Sequence, residues 1–193
     1  MKEILVSIII LLSQISSYAQ STEKDNCFDT TRYEVKANIS YFPELRIKID
    51  GEWKTFELID ERAERFDYEC EVVQLNGKDS KELVIRWSNA IYGTGGGLTT
   101  KGIQIWDLDS GTRLLNEIIS CSDENFGRHG NPSYFVECQK QIEFINQTVK
   151  IYKRTCSTEW SDIKDVPDPT LNCTLTTYDE GEYVFVNGEL KKK

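Results

Sequence analysis

The chain has 193 residues, 32 Asp+Glu against 23 Lys+Arg, a formal charge of -9 and a sequence pI near 4.8. That length limits it to one domain or two small ones, and the acid excess argues against nucleic acid or an anionic membrane as partner. With one His in the whole chain, the His-rich metal centres are excluded.

Met1-Lys2-Glu3 opens the chain, an apolar run extends from Ile4 to Ile15, and Ser16-Ser17-Tyr18-Ala19-Gln20 follows. A short charged start, an apolar core of about 12 residues and small residues at Ser17 and Ala19 form the pattern of a secretory signal peptide cleaved after Ala19. The run is shorter than the roughly 20 residues a membrane helix needs. Removing residues 1–19 leaves 174, and because Lys2 and Glu3 cancel, the charge stays at -9. No Cys follows the cleavage point directly, which argues against a lipid anchor. The expected location is secreted or periplasmic, with no membrane attachment after cleavage.

Residues 20–44 are polar and lack a clear period, so they are read as an irregular N-terminal segment. Residues 45–190 are read as one all-β domain and 191–193 as a solvated basic tail. Leu45-Arg46-Ile47-Lys48-Ile49 alternates apolar and charged side chains, the period of a half-buried strand. Asp50-Gly51 then supplies a hairpin turn, since both central positions of such a turn need positive φ. Strands are predicted at 66–75, 82–88, 102–107 and 113–121, with turns at Asn76-Gly77-Lys78-Asp79 and Asp109-Ser110-Gly111. Apolar bulk on both faces of 103–108 marks a central strand.

Residues 89–101 contain Gly93-Thr94-Gly95-Gly96-Gly97 and are read as a loop, because glycine weakens a strand interior. Residues 122–133 are read as a second long loop. Further on, Tyr134, Val136, Cys138, Ile142 and Phe144 are placed on one face of one strand, with a turn at Asn146-Gln147. Pro167-Asp168-Pro169 bars regular pairing within 157–172. A last hairpin joins 173–178 to 182–186, and Asn187-Gly188 is read as the start of one more short strand before the tail. No stretch shows a helical stripe. About ten short strands with turn residues between them predict an all-β, antiparallel meander sandwich or a set of partial propeller-like sheets.

The six cysteines are Cys27, Cys70, Cys121, Cys138, Cys156 and Cys173. An even count in an exported chain predicts three disulfides, and sequence leaves 15 pairings open. The equal offsets from 121 to 138 and from 156 to 173 point to 27–70, 121–138 and 156–173.

Two short stretches resemble known β repeats. Gln74-Leu75-Asn76-Gly77-Lys78-Asp79-Ser80-Lys81-Glu82-Leu83-Val84-Ile85 is similar to the FG-GAP/VCBS type, in which an Asp-x-Asn-x-Asp-Gly-x-x-Glu loop precedes an apolar strand. The family's loop often binds calcium, but here only Asn76 and Glu82 match ligand positions. Lys78 puts an ammonium where the ion would sit, and calcium needs several hard anionic oxygens. The resemblance therefore implies a turn and a strand and no metal site. Ile103-Gln104-Ile105-Trp106-Asp107-Leu108-Asp109-Ser110-Gly111 is similar to the third strand and turn of a WD-repeat blade. A closed propeller needs at least about four blades of about 40 residues, more than 174 residues supply.

Catalytic sets are sparse. Ser122, Asp123 and His129 share one predicted loop, whereas a triad needs a rigid scaffold. The glycine run is followed by no phosphate-loop Lys. Asp107, Asp109, Glu117, Asp60 and Glu61 are candidate carboxylates for glycoside chemistry, of the kind any acidic chain offers. Trp87 and Trp106 fall in predicted strands and are expected in the core. Asn38, Asn146 and Asn172 head glycosylation acceptor patterns. The expected function is an exported, non-catalytic binding module without cofactor or metal. Its partner is an extracellular or periplasmic protein, as for an inhibitor, immunity or adhesion role, or a glycan. The alternatives are a secreted carbohydrate-active hydrolase with paired carboxylates and a carbohydrate-binding module. Candidate ligand-binding residues are Tyr92, Gly95, Gly96, Arg128 and His129, on two loops expected to share one end of a sheet, and Trp160 in the Pro-containing loop.

Overall fold

A computed structural model of the chain describes residues 27–29, 31–36, 42–60, 63–75, 81–127, 133–145, 147–160 and 178–193. The described residues form three antiparallel sheets and contain no helix.

The first sheet joins β1 (Phe28–Asp29), β2 (Tyr33–Lys36), β3 (Glu44–Ile49) and β4 (Glu52–Glu57) in sequence order. Strand β2 thus lies in the segment read as irregular. In β3 the expected alternation holds, with Leu45, Ile47 and Ile49 buried and Arg46 and Lys48 turned outward. Asp50 and Gly51 take φ of 52° and 85°, closing the β3–β4 hairpin as a turn with both central residues left-handed.

The central sheet contains β5 (Arg65–Val73), β6 (Glu82–Tyr92), β7 (Gly96–Asp107), β8 (Arg113–Phe126), β9 (Ser133–Gln139) and β12 (Thr155–Trp160), ordered β12-β9-β8-β7-β6-β5. The third sheet joins β10 (Ile142–Ile145), β11 (Thr148–Ile151), β13 (Gly181–Val186) and β14 (Glu189–Lys192).

The central sheet is apolar on both faces because each face has its own cover. Leu83, Ile85, Trp106 and Leu108 on one face pack with Leu45, Ile47 and Ile49 of the first sheet. Val84, Ile103, Ile105 and Leu115 on the other pack with Val149, Ile151, Tyr183 and Leu190 of the third sheet. The result is a three-layer β arrangement. Period-two alternation within β6 and β7 feeds two cores at once.

Four sequence expectations are corrected. First, the described parts of the loops read at 89–101 and 122–133 are largely strand: β6 runs to Tyr92, β7 starts at Gly96 and β8 reaches Phe126. Gly97 lies inside the sheet, paired with Tyr92 and Glu124, and Gly96 pairs with Asn125 of β8. They are tolerated because neighbours fill the space a side chain would take: a Cβ at Gly97 would run into the Tyr92 ring directly across the ladder. Second, Val136 and Cys138 do not share a strand with Ile142 and Phe144. The chain leaves the central sheet at Lys140, whose N–H donates to the Ile119 carbonyl at 2.8 Å, and Ile142 and Phe144 enter the third sheet.

Third, Lys191 and Lys192 are not a frayed tail. They belong to β14, and Lys192 Nζ donates to the Glu180 carbonyl at 2.8 Å. Asn187 and Gly188, with φ of 54° and 82°, form the turn that brings β14 back. Fourth, the disulfide scheme changes. Cys27–Cys70 is present, tying the N-terminal segment to β5. Cys138 pairs with Cys156, not Cys121. Cys121 is also disulfide-bonded, and Cys173 lies outside the described residues.

The register explains the choice made by Cys138, which lies between Cys121 on β8 and Cys156 on β12. A strand residue points its N–H and C=O toward one neighbour only, so it is a hydrogen-bonded pair on one side and a close pair on the other. The Cys138–Cys156 Cα distance of 4.1 Å marks the close side, where sulfurs reach each other more easily.

Candidate functional site

Strands β6, β7 and β8 have 11, 12 and 14 residues, while each strand of the covering sheets has six or fewer. Among the described residues, the central sheet therefore outruns both covers at one tip. Cross-strand register assembles that tip from residues far apart in sequence. One row across five strands reads Tyr92, Gly97, Glu124, Phe135, Glu159. The next reads Gly96, Asn125, Tyr134, Trp160. Neighbouring rows alternate between the two faces.

The first row lies on the face whose other end packs against the third sheet. At the tip this face is open: Phe126 is 52% exposed, Tyr92 45% and Phe135 36%. A shallow groove is lined by Glu124, Asn125, Phe126, Ser133, Tyr134, Phe135 and Glu159. On this face β8 contributes Ser120, Ser122, Glu124 and Phe126; β9 contributes Ser133, Phe135, Glu137 and Gln139; β12 contributes Thr155, Ser157 and Glu159. Three carboxylates and two phenyl rings thus share the part of this face built by β8, β9 and β12, where no Lys or Arg position falls, while the exposed Lys101 of β7 lies across from Ser120 further from the tip. Cations lie at the opposite margin, where the Arg65 guanidinium sits 5.0 Å from the Tyr92 ring centre.

The other face of the tip is a small core of Cys121, Val136 and Cys138, with Leu98 and Tyr134 against it. Tyr134 donates its hydroxyl to Asp123 at 3.2 Å. Burial first, and then the Asp123 charge, raises the Tyr134 phenol above its ordinary value.

The sequence-predicted residues are partly brought together. Tyr92 ends β6 on the open face. Gly95 lies in the turn, where its carbonyl accepts the Phe126 N–H at 2.8 Å. Gly96 opens β7 in the second row, and Trp160 ends β12 in the same row, so neither joins the Tyr92 row. Arg128 and His129 lie outside the described residues, as do Glu61, Asn38, Asn146 and Asn172. Sequence reading missed Glu124, Phe135 and Glu159. The period-two alternation of 133–139 held the signal for Phe135, but the partners across the ladder are set by register.

The other carboxylates have structural duties. Asp107 accepts the Asp109 and Ser110 N–H groups at 2.8 and 2.9 Å and closes its turn. Asp109 pairs with Arg32 at 2.6 Å, and Glu117 is buried against Lys140. Glu82 of the β-repeat resemblance accepts the Leu75 N–H at 2.8 Å, tying the ends of the 76–80 connection. Among the described residues no group of three or more His, Cys, Asp or Glu side chains is placed to hold a metal ion, and no helix is long and apolar enough to cross a membrane.

Glu124 and Glu159 flank Phe135 from the two neighbouring strands and so lie two strands apart, a backbone separation of about 9.5 Å at strand spacing. That lies at the upper limit for an inverting glycosidase. Such chemistry also needs one carboxyl kept protonated by burial, and this groove is shallow and open, with Glu159 exposed. The arrangement suits contact, through aromatic area and fixed negative charge. No family model matches the chain, and neither a curated protein nor a solved structure matches it.

Proposed function

We propose that the chain is an exported, non-catalytic module that docks a protein partner on the open face of the central-sheet tip. The observation that carries this reading is the Glu124–Phe135–Glu159 row, extended by Glu137 and Phe126 and free of Lys and Arg positions on β8, β9 and β12. Charge complementarity selects the partner's chemistry: a surface bearing Lys or Arg side chains over apolar ground. Negative potential steers and orients such an encounter, and exposed aromatic rings supply the desolvated contact area. Export is supported by the signal-like residues 1–19 and by disulfides, which persist in oxidising compartments.

The test is backbone-amide NMR with a Lys/Arg-rich peptide and its Gln-substituted counterpart. The reading expects shifts concentrated in residues 122–126, 133–137 and 157–159, lost in the E124K/E159K double variant and retained in E180K/E189K. Shifts spread over the whole acidic surface, or surviving E124K/E159K, would overturn it. So would turnover on a polysaccharide panel that disappears in Glu124→Gln.

A further inference from the structure

Three cysteines stand in one cross-strand row at the margin of the central sheet: Cys121 on β8, Cys138 on β9 and Cys156 on β12. Cys138 and Cys156 are bridged, and Cys121 holds a separate disulfide. The two sulfurs of the Cys138–Cys156 bridge have different surroundings. Cys138 is fully buried and packs with Cys121 and Val136. Cys156 is exposed and lies on the edge strand of the sheet, with no described strand beyond it. A thiolate from solvent therefore reaches the Cys156 sulfur and not the Cys138 sulfur. In the Cys27–Cys70 bridge, by contrast, both cysteines are buried.

Arg154 adds to the asymmetry. Its Nη2 donates to Cys138 Sγ at 3.1 Å. Among the described residues Arg154 makes no ion pair, and its buried Nε has no hydrogen-bond partner. The next row on this face of β9 and β12, Val136 and Thr158, supplies no carboxylate. A disulfide sulfur is a weak acceptor and gains little from a guanidinium. A thiolate at the same place gains a full counter-charge, which offsets the penalty of burying it. Arg154 is thus matched to the reduced form of Cys138, and exchange is faster when the departing sulfur is the better-stabilised thiolate.

We propose that Cys156 is a site of reversible modification by small aliphatic monothiols, with Cys138 as the internal leaving group. The incoming thiolate attacks Cys156 Sγ, and the bond to Cys138 breaks as the bond to the incoming sulfur forms. Cys138 takes the electron pair and stays as a thiolate beside Arg154, while the proton of the thiol goes to solvent. The external sulfur is oxidised to the disulfide level and Cys138 is reduced, so the exchange needs no further oxidant. Burial keeps a second external thiol from Cys138. In the reverse step the Cys138 thiolate attacks Cys156, expels the thiol and restores the bridge.

The experiment treats the oxidised chain with glutathione or with uncharged 2-mercaptoethanol, quenches in acid, blocks free thiols with N-ethylmaleimide and maps the peptides without reduction. The first product should carry the probe on Cys156 and maleimide on Cys138, with Cys27–Cys70 intact. Arg154→Gln should slow its formation about threefold to tenfold with both probes, and Arg154→Lys should restore most of the rate. A substitution that merely loosened the fold would open the bridge faster, so slowing reads the charge. The proposal is overturned if no Cys156 adduct forms, if the first adduct falls on any other cysteine, or if Arg154→Gln reacts as fast as the parent chain or faster. It is also overturned if only the glutathione reaction slows, because the charge would then steer the probe and not hold the departing sulfur.

Discussion

Lys140 Nζ donates to Glu117 Oε2 at 2.5 Å, with the two side chains 4% and 0% exposed. The pair lies where the chain leaves the central sheet for the third, beside the Tyr178 carbonyl at 3.5 Å from Nζ. Removing two charges from water is costly, and the pair is compensated only while both members are present. Lys140→Met should remove the cation beside this buried carboxylate and cost about 3–5 kcal/mol. The double variant Glu117→Leu/Lys140→Met should recover most of that loss. Urea denaturation of the three proteins checks the cycle; a double variant as unstable as Lys140→Met would show that the pair contributes more than mutual neutralisation.

Non-reducing peptide mapping should find Cys27 linked to Cys70 and Cys138 linked to Cys156. Replacing Cys138 and Cys156 together by Ser should lower stability by about 3 kcal/mol, the chain-entropy figure for a loop of this size. A Cys121–Cys138 peptide in the digest would contradict the register argument.

Gly97 and Gly102 each lie opposite an aromatic residue, but with different freedom. The Tyr92 ring over Gly97 is half exposed and can swing away. The Trp87 ring over Gly102 is buried and stacked on Phe66. Gly102→Ala should therefore cost about 1–3 kcal/mol through overpacking, whereas Gly97→Ala should cost less than about 1 kcal/mol. Thermal melts rank the two, and equal losses would refute the distinction.

Tyr134, Tyr178 and Tyr183 all titrate above the ordinary phenol value of 10.0, with burial the largest cause in each. Nearby negative charge adds to it, from Asp123 at Tyr134, from Glu117 and then Glu189 at Tyr178, and from Asp179 at Tyr183. In the folded chain these groups hold their protons more tightly than in the unfolded one. Their contribution to stability is therefore complete below the unfolded value and declines as pH rises through the folded values. Urea midpoints should hold steady up to about pH 10 and fall above it. Tyr178→Phe should shrink the alkaline decline, and an unchanged slope would count against the assignment.

The fold class was legible because alternation is written locally. Leu45, Ile47 and Ile49 announce one buried face, and Ile103 to Leu108 announce a strand buried on two. Asp50-Gly51 declares its turn by composition. The extent of β6, β7 and β8 was hidden, because glycine in isolation argues against strand interior. Only the facing Tyr92 and Trp87 rings make Gly97 and Gly102 acceptable there. The disulfide choice was hidden for a related reason. Equal sequence offsets say nothing about which side of Cys138 is the close pair.

The sequence by itself determined the all-β class, the strand-forming core residues, the hairpin turns and an acidic chain with a cysteine framework, all set by near neighbours along the chain. The tertiary structure decided which residues share a face. Pairing register placed Glu124 and Glu159 on either side of Phe135, moved Trp160 to the row beside theirs, and set Trp87 over Gly102. Each strand adds a row position with a period of two, so a shift of one residue exchanges the faces, and packing across three sheets is what fixes that shift.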